Sequence, residues 1–348
     1  MKLFKKLASI YSGSYKEGPM RKYIKQWVFN CVKGATVEED KTGNIYITKG
    51  IAQTYPCVVA HLDQVQKPYP KDYKVVETDD IIFGYSPAKR AQCGLGADDK
   101  CGIWIALKML KSHDVIKVAF FPGEEVGCVG SRAANMKFFD DVRFVVEPDR
   151  RGASDLITTI GGMDICSEEF VQASEYKIFG YIQTNGLMTD VETLKERGLN
   201  VSCINLSCGY YSPHTENEYV VKVDMLNALN FVNHIIENCT DAYYHETSVN
   251  PFDYFEHDDW YRTYFNYGAK KNDVQDYSDA EFEEYYNQLG TAEEYIAIAL
   301  LDDPNLTASS FLASYGATLD MLTLEDIDGI IEQYRPYDDG EMRELADN

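Results

Sequence analysis

Apolar residues recur at steps of three and four near the start of the chain, a pattern that predicts an amphipathic helix. Similar patterns predict helices over about 100–111, 190–197 and 224–238. Asp190 begins the helix predicted over 190–197, where a carboxylate is typical of a helix N-cap. The apolar positions of the first helix are Met20, Tyr23, Ile24, Trp27, Val28, Cys31 and Val32.

Short apolar runs between these helices predict buried strands. Because strands alternate with helices, we expect an α/β fold with a central mixed, mostly parallel sheet and helices on both faces. The predicted strands cover residues 45–48, 57–60, 115–121, 143–146 and 201–206, with further strands near 156–165.

The composition of the sequence changes near residue 240. Residues 240–348 hold 26 Asp and Glu against 5 Lys and Arg, a net charge of −21, whereas residues 1–239 hold 30 against 28, a net charge of −2. We therefore expect a main domain over 1–239 and a small, acidic, tyrosine-rich helical appendage over 240–348, whose aromatic residues pack on the main domain. The helical patterns of this segment lie near 279–288, 291–301, 307–315 and 323–334.

Charge and cysteine usage narrow the choice of partners and location. Clustered Lys and Arg, which nucleic-acid binding requires, do not occur, so we expect no nucleic-acid partner. No run approaches 18 apolar residues and the first twelve residues do not resemble a secretory signal, so neither a membrane partner nor secretion is expected. The nine cysteines form no CxxC pair, which favours reduced, mostly buried thiols in a cytoplasmic protein.

Side chains of the types that bind metals follow the predicted strands where each one ends. In an open α/β sheet the carboxyl ends of the strands form the edge where ligands bind, so we expect these side chains to lie close together. They are His61 after 57–60, Asp98 in the glycine-rich turn 94–98, Glu124 and Glu125 after 115–121, Asp149 after 143–146, and His214 beyond 201–206.

These residue types suit a dinuclear zinc site. Zinc binds imidazole nitrogen and carboxylate oxygen, and a catalytic site keeps one position for water. Two histidines and three carboxylates can hold two ions if one carboxylate bridges them. Glu124, which is next to a ligand but is not one itself, could take a proton from the reacting water. Asp63 lies two residues after His61, on the same side of an extended segment, and could accept the second ring N–H of His61.

Each feature taken alone has an ordinary structural explanation. His61 and Asp63 form a common tripeptide pattern, a Glu-Glu pair is usually solvated surface, and the glycine-rich sequence can be a simple turn before a helix. Asp149 can be a loop carboxylate and His214 a surface histidine. The occurrence of all five features at strand ends favours the metal site.

The order of the motifs resembles that of the co-catalytic dizinc exopeptidases, a superfamily that includes peptidase T, the glutamate carboxypeptidases and the bacterial zinc aminopeptidases. The resemblance spans roughly residues 3–238. The motifs are His-x-Asp at 61–63, Gly-x-Asp-Asp-Lys-x-Gly at 96–102, Glu-Glu at 124–125, Asp-x-x-Gly at 149–152 and Ser-Pro-His at 212–214.

The resemblance implies a role for each residue. One zinc would be held by His61, Asp98 and Asp149, and the other by Asp98, Glu125 and His214, with Asp98 as the bridge. Glu124 would be the general base and acid, and Asp63 would orient His61.

Two positions carry a choice between neighbours. Asp98 is preferred to Asp99, because the bridging residue of the family is the first of the pair, and the family also implies a cis peptide bond between them. Glu147 is a rival for Asp149, because some relatives use a Glu-Pro sequence here, but the Arg-Arg-Gly after Asp149 fits the Asp-x-x-Gly pattern better.

One part of the family pattern is missing. Peptidase T and its nearest relatives insert a separate lid domain between the fourth and fifth ligands. Here the gap is 214 − 149 = 65 residues, and the predicted strands and helix fill it. The main domain, 1–239, is therefore expected to be a catalytic domain without a lid, as in the bacterial zinc aminopeptidases.

We therefore expect a zinc-dependent exopeptidase, an aminopeptidase that cleaves short peptides with two zinc ions. Cobalt or manganese would suit the same ligands. The alternatives are a carboxypeptidase or a deacylase of acylated amino acids with the same site, and a non-catalytic relative whose acidic segment binds a partner. For Asp190 the alternative to an N-cap is a contact near the metals or to the substrate amine.

Overall fold

A nine-stranded sheet forms the centre of the protein in the computed structural model, which describes residues 1–247. The helices predicted between 279 and 334 lie outside the described residues. In chain order the strands are β1 (Ala35–Glu39), β2 (Ile45–Lys49), β3 (Tyr55–His61), β4 (Lys74–Glu77), β5 (Ile81–Ser86), β6 (Ala91–Cys93), β7 (Ile116–Phe121), β8 (Val142–Arg150), β9 (Asp155–Ile160), β10 (Met163–Asp164), β11 (Ile182–Gly186), β12 (Cys203–Ser207), β13 (Tyr210–Tyr211) and β14 (Tyr219–Val221). The helices are α1 (Lys2–Ala8), α2 (Gly18–Cys31), α3 (Ala97–Ser112), α4 (Val129–Arg132), α5 (Glu168–Ala173), α6 (Asp190–Glu196) and α7 (Lys222–Asn238).

The central sheet is mixed, with a parallel middle. Its strand order is β1-β2-β7-β3-β8-β12-β9-β10, and β11 also pairs with β9. The four middle strands β7, β3, β8 and β12 are parallel to one another. The pairings give six of the nine strands the same direction, while β2, β9 and β11 point the other way. The predicted fold class of this part of the chain is confirmed.

The sheet is covered on both faces because its strands alternate their side chains between two cores. In β3, Val58 and Ala60 join a core that contains residues of α1, α2, α3 and α7. Cys57 and Val59, on the other face of the same strand, pack in a second core with Val191 and Leu194 of α6. Both cores leave the carboxyl ends of the middle strands free to carry polar residues.

A second, five-stranded sheet was not anticipated from the sequence. It pairs β13 with β14, β14 with β5, and β5 with both β4 and β6. The glycine-rich turn before α3 follows β6, and the loop that contains His214 joins β13 to β14. The small sheet therefore brings the His214 loop beside the turn that carries Asp98.

Two predicted element boundaries need correction. β8 continues to Arg150, so Asp149 lies inside a strand rather than in the loop beyond it, because β12 keeps pairing as far as Ser207 opposite Arg150. The N-cap of α6 is Thr189, and Asp190 is the first residue of the helix. The prediction that Asp190 caps the helix is wrong.

Residues 151–213 contribute β9 to β12 to the same central sheet, together with α5 and α6. After α7 the chain stays on the body: the Tyr243 N–H donates to the Arg143 carbonyl, and the Tyr243 carbonyl accepts from the Ser202 N–H. The Tyr243 ring is buried, whereas Tyr244 is exposed. The division of the chain near residue 240 stays a prediction.

Eight of the nine cysteines are buried free thiols and Cys31 is exposed, which confirms their role as small apolar side chains. Among residues 1–247, no helix combines the length and apolar character needed to cross a membrane.

Candidate dinuclear metal site

The residues predicted to bind metal come together at the carboxyl edge of the parallel strands. His61 is the last residue of β3, Asp149 lies near the end of the adjacent β8, and Glu125 follows β7 on the other side of β3. Asp98 is the second residue of α3, where the backbone at Asp98 and Asp99 is not yet helical and still belongs to the turn, and the peptide bond between them is cis, as predicted. His214 comes from the loop between β13 and β14 and has a φ of +61°.

Asp98 lies between the two histidines. Its Oδ1 is 3.1 Å from His61 Nε2, and its Oδ2 is 3.3 Å from His214 Nε2. Asp149 Oδ1 lies 3.6 Å from His61 Nε2, and Glu125 Oε2 lies 2.9 Å from His214 Nε2. The result is two groups of three ligand atoms that share Asp98, and within each group all ligand atoms lie within 4.8 Å of one another.

Hydrogen bonding satisfies only part of this set, since His61 Nε2 is bonded to Asp98 Oδ1 at 3.1 Å while other atoms have no partner. His214 Nε2 and Glu125 Oε1 are buried without a hydrogen-bond partner, although His214 Nε2 is close to two carboxylates. A buried polar atom left without a partner costs free energy, so the site calls for a further group. Imidazole nitrogens and carboxylate oxygens that converge at this spacing suit divalent cations such as zinc.

The electrostatics of the site point the same way. Burial, with a contribution from the nearby Asp98, raises the pKa of Asp149 to about 7 against the lowering effect of His61. Glu125 and Asp98 raise the pKa of His214 to about 12, in spite of its burial. Burial alone would lower the pKa of His61, but Asp149, Asp63 and Asp98 together raise it well above its ordinary value. The clustered carboxylates therefore make the site favourable for positively charged groups such as metal ions.

Glu124 lies beside the metal-type residues and is half-buried. Burial raises the pKa of Glu124 well above its ordinary value, while His61 lowers it and Asp149 raises it again. Its backbone N–H donates to Asp63 Oδ1 at 3.0 Å. Its position next to Glu125 at the end of β7 makes it available for proton transfer.

Asp63 has more partners than the sequence suggested. Its Oδ1 lies 3.4 Å from His61 Nδ1, a separation longer than a usual N–H···O hydrogen bond. The Ser14 hydroxyl donates to its Oδ2 at 2.7 Å, and Glu124 N–H donates to its Oδ1. Asp63 therefore positions the loop of Glu124 as well as facing the ring of His61.

The contacts of Glu147 and Asp149 show which of these two candidate ligands faces the metal site. Glu147 Oε2 accepts from the Thr189 hydroxyl at 2.7 Å and from the Val191 N–H at 3.2 Å, so it is bound to the start of α6. Asp149 faces His61, and its backbone is held by two hydrogen bonds with the Asn205 side-chain amide of β12. The geometry favours Asp149 as the ligand.

Asp99 has a different environment from Asp98. It is fully buried, and its carboxylate accepts from the His61 N–H at 3.3 Å and from the Gly102 N–H at 2.8 Å. A Cβ at Gly102 would lie 2.3 Å from Asp99 Oδ2, which explains the glycine at this position. Asp99 therefore fixes the start of α3 to β3, and the carboxylate between the two histidines is that of Asp98.

Asp190 is fully buried near this site rather than at the surface. The Ser131 hydroxyl donates to its Oδ1 at 2.5 Å, and its Oδ2 has no hydrogen-bond partner. Burial, with a contribution from Glu147, raises the pKa of Asp190 to about 8. The negative charge of Asp190 also contributes to raising the pKa of Glu124. These contacts support the alternative to an N-cap, in which Asp190 belongs to the surroundings of the site.

The sequence did not single out three further residues of the site. Tyr210 is buried, and its hydroxyl donates to Asp149 Oδ1 at 3.3 Å. Lys100 is buried and donates to Gln64 Oε1 and to the Tyr69 hydroxyl. Glu218 is buried next to the turn that carries Asp98. The available signals were Lys100 in the motif at 96–102, where a charged residue falls in the apolar face of α3, and an acidic residue four positions after His214.

Several solved structures of similar fold are described as peptidases. The aminopeptidase PepT from Bacillus cereus has a TM-score of 0.55 and 15% identity, over 68% of this chain and 97% of that chain. A tripeptidase from Staphylococcus aureus has a TM-score of 0.55 and 15% identity, over 67% and 96%. An aminopeptidase from the archaeon Desulfurococcus kamchatkensis has a TM-score of 0.53 and 18% identity, over 68% and 94%. The chain has the aminopeptidase fold.

The comparison by sequence gives no further relatives, since no protein-family model and no curated protein matches the chain. The aminopeptidase fold is thus recognised from the structure, and from the order of short motifs, rather than from overall sequence similarity.

Proposed function

We propose that this protein is a metal-dependent exopeptidase that removes residues from the amino end of short peptides. The observation that carries the proposal is the pair of ligand groups that share Asp98, with Glu124 beside them. No simple structural role requires two histidines and three carboxylates to converge with buried atoms left unpaired.

In this proposal His61, Asp98 and Asp149 hold one zinc ion, and Asp98, Glu125 and His214 hold the other. Three ligand carboxylates bring a charge of −3 against +4 from two divalent cations, so ions would offset both the burial and the repulsion from Asp98 that raise the pKa of Asp149. Two cations bound there would polarise the scissile carbonyl and make a water molecule more acidic. Cobalt or manganese would suit the same nitrogen and oxygen ligands.

The residues around the ligands complete the reaction. Glu124 accepts the proton of the attacking water and passes it to the nitrogen of the leaving amine. Asp63 holds Glu124 in place through its backbone N–H and faces the ring of His61. Glu124 is half-buried and His214 keeps 21% of its side chain exposed, so a substrate can reach both groups.

The charge balance favours an aminopeptidase over the alternatives. Beyond the ligands, the half-buried Glu124 adds a carboxylate beside the site that suits the ammonium group of a free peptide amino terminus. A carboxypeptidase or a deacylase must also bind a substrate carboxylate, and Lys100, two residues after the shared Asp98, is buried in bonds to Gln64 and Tyr69. A non-catalytic relative would have no use for Glu124.

The test combines metal analysis with Glu124→Gln in the full-length protein. Zinc-supplied wild type should bind two equivalents and cleave short peptides with a free amino group faster than N-acetylated peptides or N-acetyl amino acids. Glu124→Gln should retain both ions, because Glu124 is not a ligand, and lose turnover by a factor of about 10² or more.

Glu38→Gln is the matched control, since it makes the same change at an exposed position on β1. It should match the wild type in zinc content and rate. A wild type with zinc content near zero would overturn the metal site. A Glu124→Gln variant with full activity would mean that another residue is the base.

A further inference from the structure

Glu218 makes an unusual set of contacts for a residue outside the ligand groups. It directly precedes β14, is fully buried and lies four residues after His214. Its two carboxylate oxygens accept five hydrogen bonds from the turn before α3 and its surroundings. The donors are Leu95 N (2.8 Å), Gly96 N (2.5 Å) and Gln66 Nε2 (3.0 Å) to Oε2, and Ala97 N (3.0 Å) and Asp98 N (3.1 Å) to Oε1.

Four successive amides can converge on one carboxylate only because the turn is tightly wound. Gly96 has a φ of +63°, in the left-handed region that favours glycine. A Cβ at Gly96 would lie 2.6 Å from Gln64 Oε1, and one at Gly94 would lie 2.2 Å from Gln66 Cγ. The glycines of the turn are therefore explained by the approach of its backbone to the buried polar groups around Glu218.

The contact links two parts of the site that are distant in sequence. Glu218 belongs to the loop that contains His214, and the last of its four amide donors is the N–H of Asp98, whose carboxylate lies between both histidines. Resting on the function proposed above, we propose that Glu218 is a positioning residue, which holds the Asp98 turn against the His214 loop so that both metal positions form.

The chemistry of the five contacts requires a carboxylate. Every partner is a donor, so both oxygens must accept. A glutamine at this position would direct its NH₂ group at two donors in one orientation and at three in the other. The replacement keeps the shape of the side chain and breaks the contact, which makes Glu218→Gln the informative variant.

The proposal is tested by zinc binding rather than by activity. The full-length proteins are stripped of metal and titrated with zinc in competition with a chromophoric chelator. Residues that orient metal ligands typically change metal affinity by about 10–100-fold when they are replaced. Glu218→Gln should weaken both zinc equivalents by at least about tenfold, because Asp98 belongs to both ligand groups.

Glu216→Gln provides the matched control. Glu216 is exposed and accepts one hydrogen bond from the same turn, from Gly94 N at 3.1 Å. The charge change is the same and the location is two residues away, yet zinc affinity should stay within about twofold of the wild type, since the Asp98 end of the turn keeps all its contacts.

A milder variant covers the case in which Glu218→Gln does not fold. Gln66→Met keeps the bulk of the side chain and removes one of the five donors to Glu218. It should weaken zinc binding in the same direction by a smaller factor, with both equivalents affected.

Two results would overturn the proposal. If either variant lowers thermal stability but binds both zinc ions as the wild type does, Glu218 is only structural. If the wild type binds two zinc ions and Glu216→Gln weakens them as much as Glu218→Gln, charge rather than positioning is responsible. A wild type that binds no zinc would instead overturn the proposed function itself, and this inference with it.

Discussion

At the scale of single residues, the proposed metal ligands differ in how far the sequence could predict them. His61 and Glu125 follow strands that the apolar pattern predicts, so their meeting follows from the geometry of a parallel sheet. Glu218 and Tyr210 carry no such signal, because their role depends on which loops the small second sheet brings together. Their partners are defined only by the folded structure.

Asp149 shows the limit of boundary prediction. The sequence Glu-Pro-Asp after Val146 favours the end of a strand, because proline cannot donate to a ladder. β8 nevertheless continues to Arg150, where the neighbouring β12 and the side chain of Asn205 keep the backbone extended. The residue type was predictable and its local conformation was not.

Glu17 gives a test of the electrostatics around the site. It is buried near the start of α2, and burial, with the negative Asp63 as the second cause, raises its pKa to about 7 from 4.5. A carboxyl group whose pKa rises on folding destabilises the protein at pH values above its pKa in the unfolded state. Below about pH 4, Glu17 is protonated in both the folded and the unfolded protein, so it has no effect on the free energy of unfolding. Between pH 4.5 and 7 the free energy of unfolding falls as pH rises, and above pH 7 it stays lower by the full amount.

We therefore expect Glu17→Gln to raise the free energy of unfolding at pH 8 by up to about 3 kcal/mol and to leave it unchanged at pH 4. The glutamine oxygen can still accept the hydrogen bond from the Tyr15 N–H. Urea denaturation of metal-free protein at pH 4, 6 and 8 measures the difference, with the exposed Glu38→Gln as control. Equal gains at all three pH values would show that the effect is not one of ionisation.

At the scale of elements, most of those in and around the central sheet follow from the apolar pattern, whereas the strands of the second sheet do not. Helices α2, α3, α6 and α7 and strands β2, β3, β7 and β12 lie where the apolar pattern places them, within a few residues. The second sheet is built from strands of two to six residues, whose burial is mixed and whose pairing is non-local. Such strands exist because a partner fixes them, so a pattern along the chain cannot reveal them.

The turn into α3 provides a prediction at this scale. Gly96 and Gly34 both have a positive φ, +63° and +73°, so alanine costs roughly 1–2 kcal/mol in conformational energy at either position. At Gly34 a Cβ would meet nothing within 4 Å, whereas at Gly96 it would lie 2.6 Å from Gln64 Oε1 and Lys100 Nζ.

Gly96→Ala should therefore be more destabilising than Gly34→Ala by about 1–3 kcal/mol, the usual cost of overpacking a buried position. It should also weaken zinc binding, because the turn carries Asp98. Urea unfolding and zinc titration of the two variants give the comparison. Equal losses of stability would mean that the Gln64 and Lys100 side chains can move away from the new Cβ at little cost. The turn would then be less tightly held than its contacts indicate.

At the scale of the whole molecule, charge and site are segregated along the chain. All the proposed ligand residues lie in the nearly neutral part before residue 240, and a net charge of −21 lies in residues 240–348. Helical packing of the acidic segment beside the catalytic domain stays a prediction. Among the described residues, the body extends at least to residue 245, because residues 243–245 are bonded to it.

A pair of truncated chains tests this boundary. A chain that ends at residue 240 loses the buried ring of Tyr243, which packs with a centroid distance of 5.0 Å from Phe170, and three backbone hydrogen bonds to Arg143, Ser202 and Asn200. A chain that ends at residue 247 keeps them all. Loss of a large buried aromatic side chain typically costs about 3–5 kcal/mol.

The chain that ends at residue 240 should thus melt roughly 6–20 °C below the chain that ends at residue 247. The longer chain should fold and bind two zinc ions, since all the proposed ligands and Glu218 lie within it. Calorimetry and zinc analysis of both chains give the comparison. If the two melt together, residues 241–247 contribute nothing to the body and the boundary belongs at residue 239. If the longer chain also fails to fold, the acidic segment is part of the catalytic domain, and the separation of charge from site along the sequence does not reflect separate folding units.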